Sequence, residues 1–225
     1  MHINCAKCPG TFCGSAPMEE LNREALPEFC PMRLLPDVIR ESVEKYEEEG
    51  VRDIYVPSTV TEKEAYERVR GTTMAVRPRI KELIELARLM KARQIGIAFC
   101  AGLKDEASRL TDVLEEQGFS VSSVMCKCGG VDKTRLGMNP EDKIGDPDSF
   151  EAACNPVLQA ELLNRVGTDL NVIVGLCIGH DMIFNRRSEA PVTTLIVKDR
   201  LLGHNPVIGL YSGYHKGVIK SQDRT

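Results

Sequence analysis

The chain contains no tryptophan, and aromatic residues make up only 5% of its 225 residues. It has no run of about 18 apolar residues, so no segment reads as a membrane-spanning helix. It also lacks an excess of positive charge. Lys and Arg number 29 against 33 Asp and Glu, a net charge of −4, which argues against a nucleic acid held through its phosphates. The opening residues, Met1 to Gly10, are polar and carry two cysteines, unlike the apolar centre of a secretory signal. No G-x-G-x-x-G follows a strand, and neither a P-loop nor a G-x-S-x-G elbow occurs. With 42% apolar and 28% charged residues, the composition excludes collagenous and disordered classes. It supports one core of ordinary size, or one domain with a small appendage.

What the chain has in quantity is cysteine: nine residues. Without a secretory signal the expected compartment is the reducing cytoplasm, where disulfides are rare and clustered cysteines are more often metal ligands or catalysts. An odd total also leaves one thiol over in any full pairing.

The pattern changes near residue 93, which predicts a cysteine-rich, helical segment over 1–92 and an α/β domain over 93–225. Residues 1–35 are rich in Cys, Pro and Gly and read as a loop wrapped around something. A helix is expected from Pro36, with Val38, Ile39, Val43 and Tyr46 on one face and Gly50 as its stop. Ile54-Tyr55-Val56 reads as an edge strand, Thr61 and Glu64 as a capping box opening a second helix, and Pro78 as the start of a third. Beyond residue 93, strands are expected at 94–100, 119–126, 170–177 and 192–198. They alternate with helices at 103–117 and from Asn155-Pro156 to Gly167. This β-α-β alternation predicts a parallel sheet flanked by helices, a three-layer Rossmann-like fold. The long polar loop 127–153, with Gly137, Pro140, Gly145 and Pro147, has a length that usually signals function.

The cysteines fall into two groups. Cys5, Cys8, Cys13 and Cys30 are spaced C-x2-C-x4-C-x16-C, a set that suits tetrahedral zinc or a four-iron cluster. Cys100, Cys126 and Cys177 each stand at the carboxyl end of an expected strand, and Cys154 directly precedes a helix start. In an open parallel sheet those positions share one edge, where such folds place ligands. With the strand order 2-1-3-4, Cys100 and Cys177 face the same crevice. Cys128 is the expected spare, able to replace Cys126.

Two all-thiolate sites with no obligatory histidine favour iron-sulfur chemistry, with two 4Fe-4S clusters. Zinc is the alternative. Candidate catalytic groups are His180 and Asp181, which follow Cys177 at once, and Lys198. His180 can act as a ligand, a proton donor or a hydrogen-bond partner of a cluster sulfur. Lys198, with Arg200, can neutralise an anionic cluster or substrate, and Lys127 and Lys133 can hold an anion. The expected partners are a redox protein and a small anionic ligand, with a homo-oligomer open and neither nucleic acid nor membrane involved. Two further readings stand beside this one. A zinc-stabilised binding module would have no redox role, and a thiol enzyme would use Cys126 and Cys128 as an exchanging pair.

Several runs together carry a resemblance: Cys5-Ala6-Lys7-Cys8, Cys154-Asn155-Pro156, Gly175-Leu176-Cys177-Ile178-Gly179-His180-Asp181, and Ala190-Pro191-Val192-Thr193 through Lys198-Asp199-Arg200 to His204-Asn205-Pro206. The chain resembles, over nearly its whole length, the cysteine-rich family catalogued as domain of unknown function eighteen forty-seven, whose members are described as metal-binding. The resemblance implies metal binding but no reaction or substrate. It carries the ligand role onto Cys5, Cys8, Cys13, Cys30, Cys100, Cys126, Cys154 and Cys177, and leaves Cys128 as an extra.

Overall fold

A computed structural model describes residues 1–220. The chain forms two compact units, one from Met1 to Lys63 and one from Glu64 onward.

The first unit is built of short 3-10 turns and three helices: α1 (Pro31–Leu34), α2 (Pro36–Glu44) and α3 (Arg52–Glu64). Its first 30 residues gain order from local bonds. The Arg33 guanidinium donates to the Leu26 carbonyl at 2.9 Å and to that of Glu24 at 3.4 Å, fixing one turn beside α1. Helix α2 starts at Pro36 as expected, but it gives way to a 3-10 turn at Lys45, before Gly50. Val38, Val43 and Tyr46, expected to face a core, are exposed.

Ile54-Tyr55-Val56 is not a strand; it lies inside α3. Three apolar residues with no pairing partner gain nothing from an extended form. The helix continues through Pro57, and beside it hydroxyls donate to carbonyls four residues back, Ser58 to Ile54, Thr59 to Tyr55 and Thr61 to Pro57, a pattern that goes with helix bending. Thr61 and Glu64 therefore end a helix instead of opening one.

The second unit begins with a hairpin where the capping box suggested a helix. Strands β1 (Tyr66–Val69) and β2 (Thr72–Ala75) pair antiparallel. Arg70 and Gly71 between them both have positive φ, at 50° and 85°, the two-residue turn whose twist matches a hairpin. Helix α4 (Arg79–Leu89) follows, with Leu83, Ile84 and Ala87 buried in the core of this unit.

Four parallel strands then make the central sheet: β3 (Gln94–Phe99), β4 (Ser120–Met125), β5 (Leu170–Val174) and β6 (Val192–Ile196). Their order is β4-β3-β5-β6, the 2-1-3-4 order expected from the sequence. Helices α5 (Lys104–Glu116), α6 (Pro156–Val166) and α7 (His180–Arg187) complete the three-layer α/β fold, and α8 (Ile208–Tyr211) and α9 (Gly213–Lys220) follow the last strand. Ile95, Ile97, Val172, Ile173 and Val174 are almost completely buried, against Ala107, Leu110 and Leu114 of α5 and Ala160 and Leu163 of α6. Burying each large aliphatic side chain contributes about 1.5–3 kcal/mol. Helix α6 begins as the sequence suggests: the Asn155 Oδ1 accepts the Leu158 N–H at 2.9 Å, and Gly167 ends it at φ 73°.

Candidate metal centre at the sheet edge

Strand register delivers the cysteines. Phe99 is level with Met125 on β4 and with Val174 on β5, so the next residues of all three strands emerge together. The Cys126 N–H donates to the Phe99 carbonyl at 2.9 Å and the Cys100 N–H to the Val174 carbonyl at 3.2 Å. The Asn155 N–H donates to the Cys126 carbonyl at 2.8 Å, which brings Cys154 and the start of α6 over the same edge. Strand β5 stops at Val174, three residues before Cys177. Gly175 turns the chain with φ 69°, and a Cβ there would lie 2.5 Å from a Leu103 methyl. Gly179, at φ 85°, turns it again into α7, and the His180 and Asp181 N–H groups donate back to the Cys177 carbonyl.

The result is one cavity of about 950 Å³ bordered by Cys100, Cys126, Cys154, Cys177 and His180. The sulfurs of Cys154 and Cys177 and a ring nitrogen of His180 lie within 4.8 Å of one another. Tetrahedral Zn–S bonds of about 2.3 Å put neighbouring ligand atoms about 3.8 Å apart, so this trio needs little movement to grip one ion. His180 Nδ1 is buried without a hydrogen-bond partner, an uncommon condition that fits a nitrogen donor to a metal.

Charge is arranged around the sulfurs. Lys198 Nζ donates to Cys100 Sγ, and Arg200 Nη2 donates to Cys177 Sγ at 3.0 Å. The Ala101 N–H points at Cys126 Sγ from 3.4 Å. Burial pushes the Cys100 thiol up, but the Lys198 ammonium and the Gly102 N–H outweigh it and hold the thiol below its usual value. The Cys126 thiol donates to Cys154 and, against the cost of burial and with the charges of Lys127 and His180, brings Cys154 down to about 5. Cys126 moves up for the same reason: its proton is held by Cys154 and burial disfavours its anion. A metal would replace that shared proton, since it binds thiolates.

Cys128 does not border the cavity, whereas Cys126 does. The Asp181 carboxylate accepts the Met182 N–H at 2.8 Å in the first turn of α7 and does not border the cavity either. His204 Nδ1 accepts the Asp199 N–H at 3.1 Å and shapes a turn. All nine cysteines are free thiols. In the first unit, Cys5 and Cys13 are exposed and Cys8 and Cys30 half-buried, and no three of these sulfurs lie within 4.8 Å of one another.

Sequence reasoning missed the apolar side of the cavity, formed by Leu136, Met138 and Ile144 of the long loop together with Val157 and Ile183. The hint was that this mostly polar loop carries five large apolar residues, Val131, Leu136, Met138, Ile144 and Phe150, three of which border the cavity. That loop is fixed by its own ion pairs, Lys133 with Glu151 and Lys143 with Asp132. The Asp132 carboxyl, accepting N–H groups of Thr134 and Glu151, is held below its usual range.

Residues 30–195 match the family described as a protein of unknown function, DUF1847. The chain belongs to that family. It is also similar to an uncharacterized protein of Methanocaldococcus jannaschii, 43% identical over 180 residues, covering 80% of this chain and 86% of the relative. No solved structure matches it. The family match takes in Cys30 and every cysteine of the cavity. Among the described residues no helix is long and apolar enough to cross a membrane.

Proposed function

We propose that the protein is an iron-sulfur protein whose central site is held by Cys100, Cys126, Cys154 and Cys177, and that it transfers electrons or performs redox chemistry on a small ligand. The observation that carries this reading is the convergence of four thiols from four separate stretches of chain on one sheet edge, under cations that donate to two of them. Thiolates repel one another, and an assembly of them is stable when a cationic centre replaces their protons. A bound cluster would supply one-electron chemistry, at a potential raised by nearby hydrogen-bond donors and cations. Lys198 and Arg200 are the chain's own groups for that tuning. Cys5, Cys8, Cys13 and Cys30 are the ligand set for a second 4Fe-4S cluster, passing electrons to or from a redox partner protein. The reading sets the protein in the cytoplasm, where clustered cysteines stay reduced and available to a metal.

Zinc is the second reading, and one observation favours it: Cys154, Cys177 and His180 already stand within 4.8 Å. Anaerobic purification of the full chain, followed by iron, sulfide and zinc analysis, separates the two. The redox reading expects a brown protein with stoichiometric iron and sulfide that loses part of both on Cys177→Ser. A colourless protein with zinc and no iron would replace it with the second reading, and full iron retention in Cys177→Ser would remove the sheet-edge assignment.

A further inference from the structure

The cavity at the sheet edge is larger than a metal centre needs. Its volume of about 950 Å³ is in the range that holds a small organic molecule, whereas a centre gripped by sulfur takes only the part where the four cysteines meet. Its border is sorted by chemistry. Lys127, Lys133, Lys198 and Arg200 line it and no Asp or Glu does, in a chain where acidic residues outnumber basic ones, 33 to 29. Lys133 pairs with Glu151 and Lys127 donates to the Ala152 carbonyl, whereas Lys198 and Arg200 each donate to a sulfur of the cavity itself, Cys100 and Cys177. Among the described residues Lys198 and Arg200 pair with no carboxylate. Arg200 uses one donor on Cys177, and a guanidinium carries five in a planar fork that matches an oxyanion. Away from its cations, the cysteines, His180 and Asn155, the border is apolar and partly in water: Leu136 is 54% exposed and Ile144 90%, a placement that favours an apolar body lying against them.

We propose that this cavity binds a small organic oxyanion whose charged end meets Lys198 and Arg200 and whose apolar body lies along Leu136, Met138, Ile144 and Ile183. The proposal rests on the redox reading only in making the bound molecule a substrate; the binding itself does not require it.

Calorimetric titration of the full chain, purified anaerobically with the metal it carries, tests this with hexanoate, hexyl phosphate and hexanol as probes. At least one of the two anions should bind saturably at one site, with hexanol about tenfold weaker or worse. Which anion binds more tightly separates a carboxylate from a phosphate ligand. Arg200→Gln should weaken anion binding about tenfold or more, with metal content measured on the same sample. If Arg200→Gln loses metal, Leu136→Asp provides the same test from an exposed loop position: anion binding falls and metal stays. Lack of saturable binding by both anions, hexanol binding as tightly as they do, wild-type affinity in an Arg200→Gln protein that keeps its metal, or wild-type affinity in Leu136→Asp would overturn the proposal. Anion binding by a protein free of iron would overturn the redox reading alone, and iron with no anion binding would overturn this proposal alone.

Discussion

In the metal-free chain, Cys154 should be a thiolate at neutral pH, and removing one neighbouring proton should undo much of that. The hydrogen bond from the Cys126 thiol is the largest of the influences that bring Cys154 down to about 5 from an ordinary thiol value of 9.0. A hydrogen bond to a charged group contributes about 1.5–3 kcal/mol, and each pH unit corresponds to about 1.4 kcal/mol. Cys126→Ala should therefore raise the Cys154 midpoint by about one to two pH units, toward the lower end because Cys154 is half-exposed. The assay is iodoacetamide alkylation of chelator-stripped, reduced protein across pH, with each cysteine followed by peptide mass spectrometry. Wild-type Cys154 should reach its full rate below pH 7 while Cys126, held protonated, lags behind it. Since the folded state holds Cys154 below its unfolded value, its contribution to stability is present above about pH 8.5 and is lost as pH falls through about 5. Cys126 works in the opposite direction, adding stability below the ordinary thiol value and losing it above. A wild-type Cys154 midpoint near 8.5, or one unmoved by Cys126→Ala, would refute the shared-proton account.

Gly175→Ala should destabilise the chain by about 2–4 kcal/mol, because φ is 69° and the new methyl would meet buried Leu103 at 2.5 Å; thermal unfolding measures it, and an unchanged midpoint counts against the tight turn. Gln159, fully buried, donates Nε2 to the carbonyls of Phe99 and Val124 at 3.2 and 2.7 Å, so Gln159→Leu should cost about 1 kcal/mol and slow metal reloading by loosening the strand ends; stability and loading equal to wild type would show that the bridge is dispensable. The exposed Asp169 carboxylate accepts N–H groups of Arg93 and Gln94 at 2.7 and 2.9 Å and is held below its usual range by them. Asp169→Asn should cost about 1 kcal/mol at pH 7, and its urea midpoint should converge with wild type in strong acid, where the wild-type carboxyl is also neutral; a gap that persists there would count against the charge-assisted bonds.

The sheet and its order were legible because the two central strands, β3 and β5, are short buried and largely apolar runs ended by a recognisable break, because the edge strands β4 and β6 keep β-branched apolar residues among their Ser and Thr, and because parallel strands require helical crossovers. That same regularity made Cys100, Cys126 and Cys177 readable as neighbours although 77 positions separate the first from the last. Asn155-Pro156 and Gly167 marked both ends of α6 through their backbone preferences alone. The first unit was less legible for a physical reason. Ile54 to Val56 have strand-like side chains, but three residues carry no period, and the helix that contains them runs on through Pro57, a residue that ordinarily marks a boundary. The hairpin at Tyr66–Ala75 depends on positive φ at Arg70, which few non-glycine residues adopt. Leu136, Met138 and Ile144 could not be assigned to the cavity because irregular loops have no repeat that tells which side chain points where.

The account depends on metal being bound at the sheet edge, and an anomalous difference map at the iron absorption edge, from crystals grown without oxygen, tests that most directly. It should show iron within bonding distance of the Cys154 and Cys177 sulfurs, with Cys100 and Cys126 closing the site. An iron-free map there, with all four sulfurs bonded to nothing but protein, would contradict it.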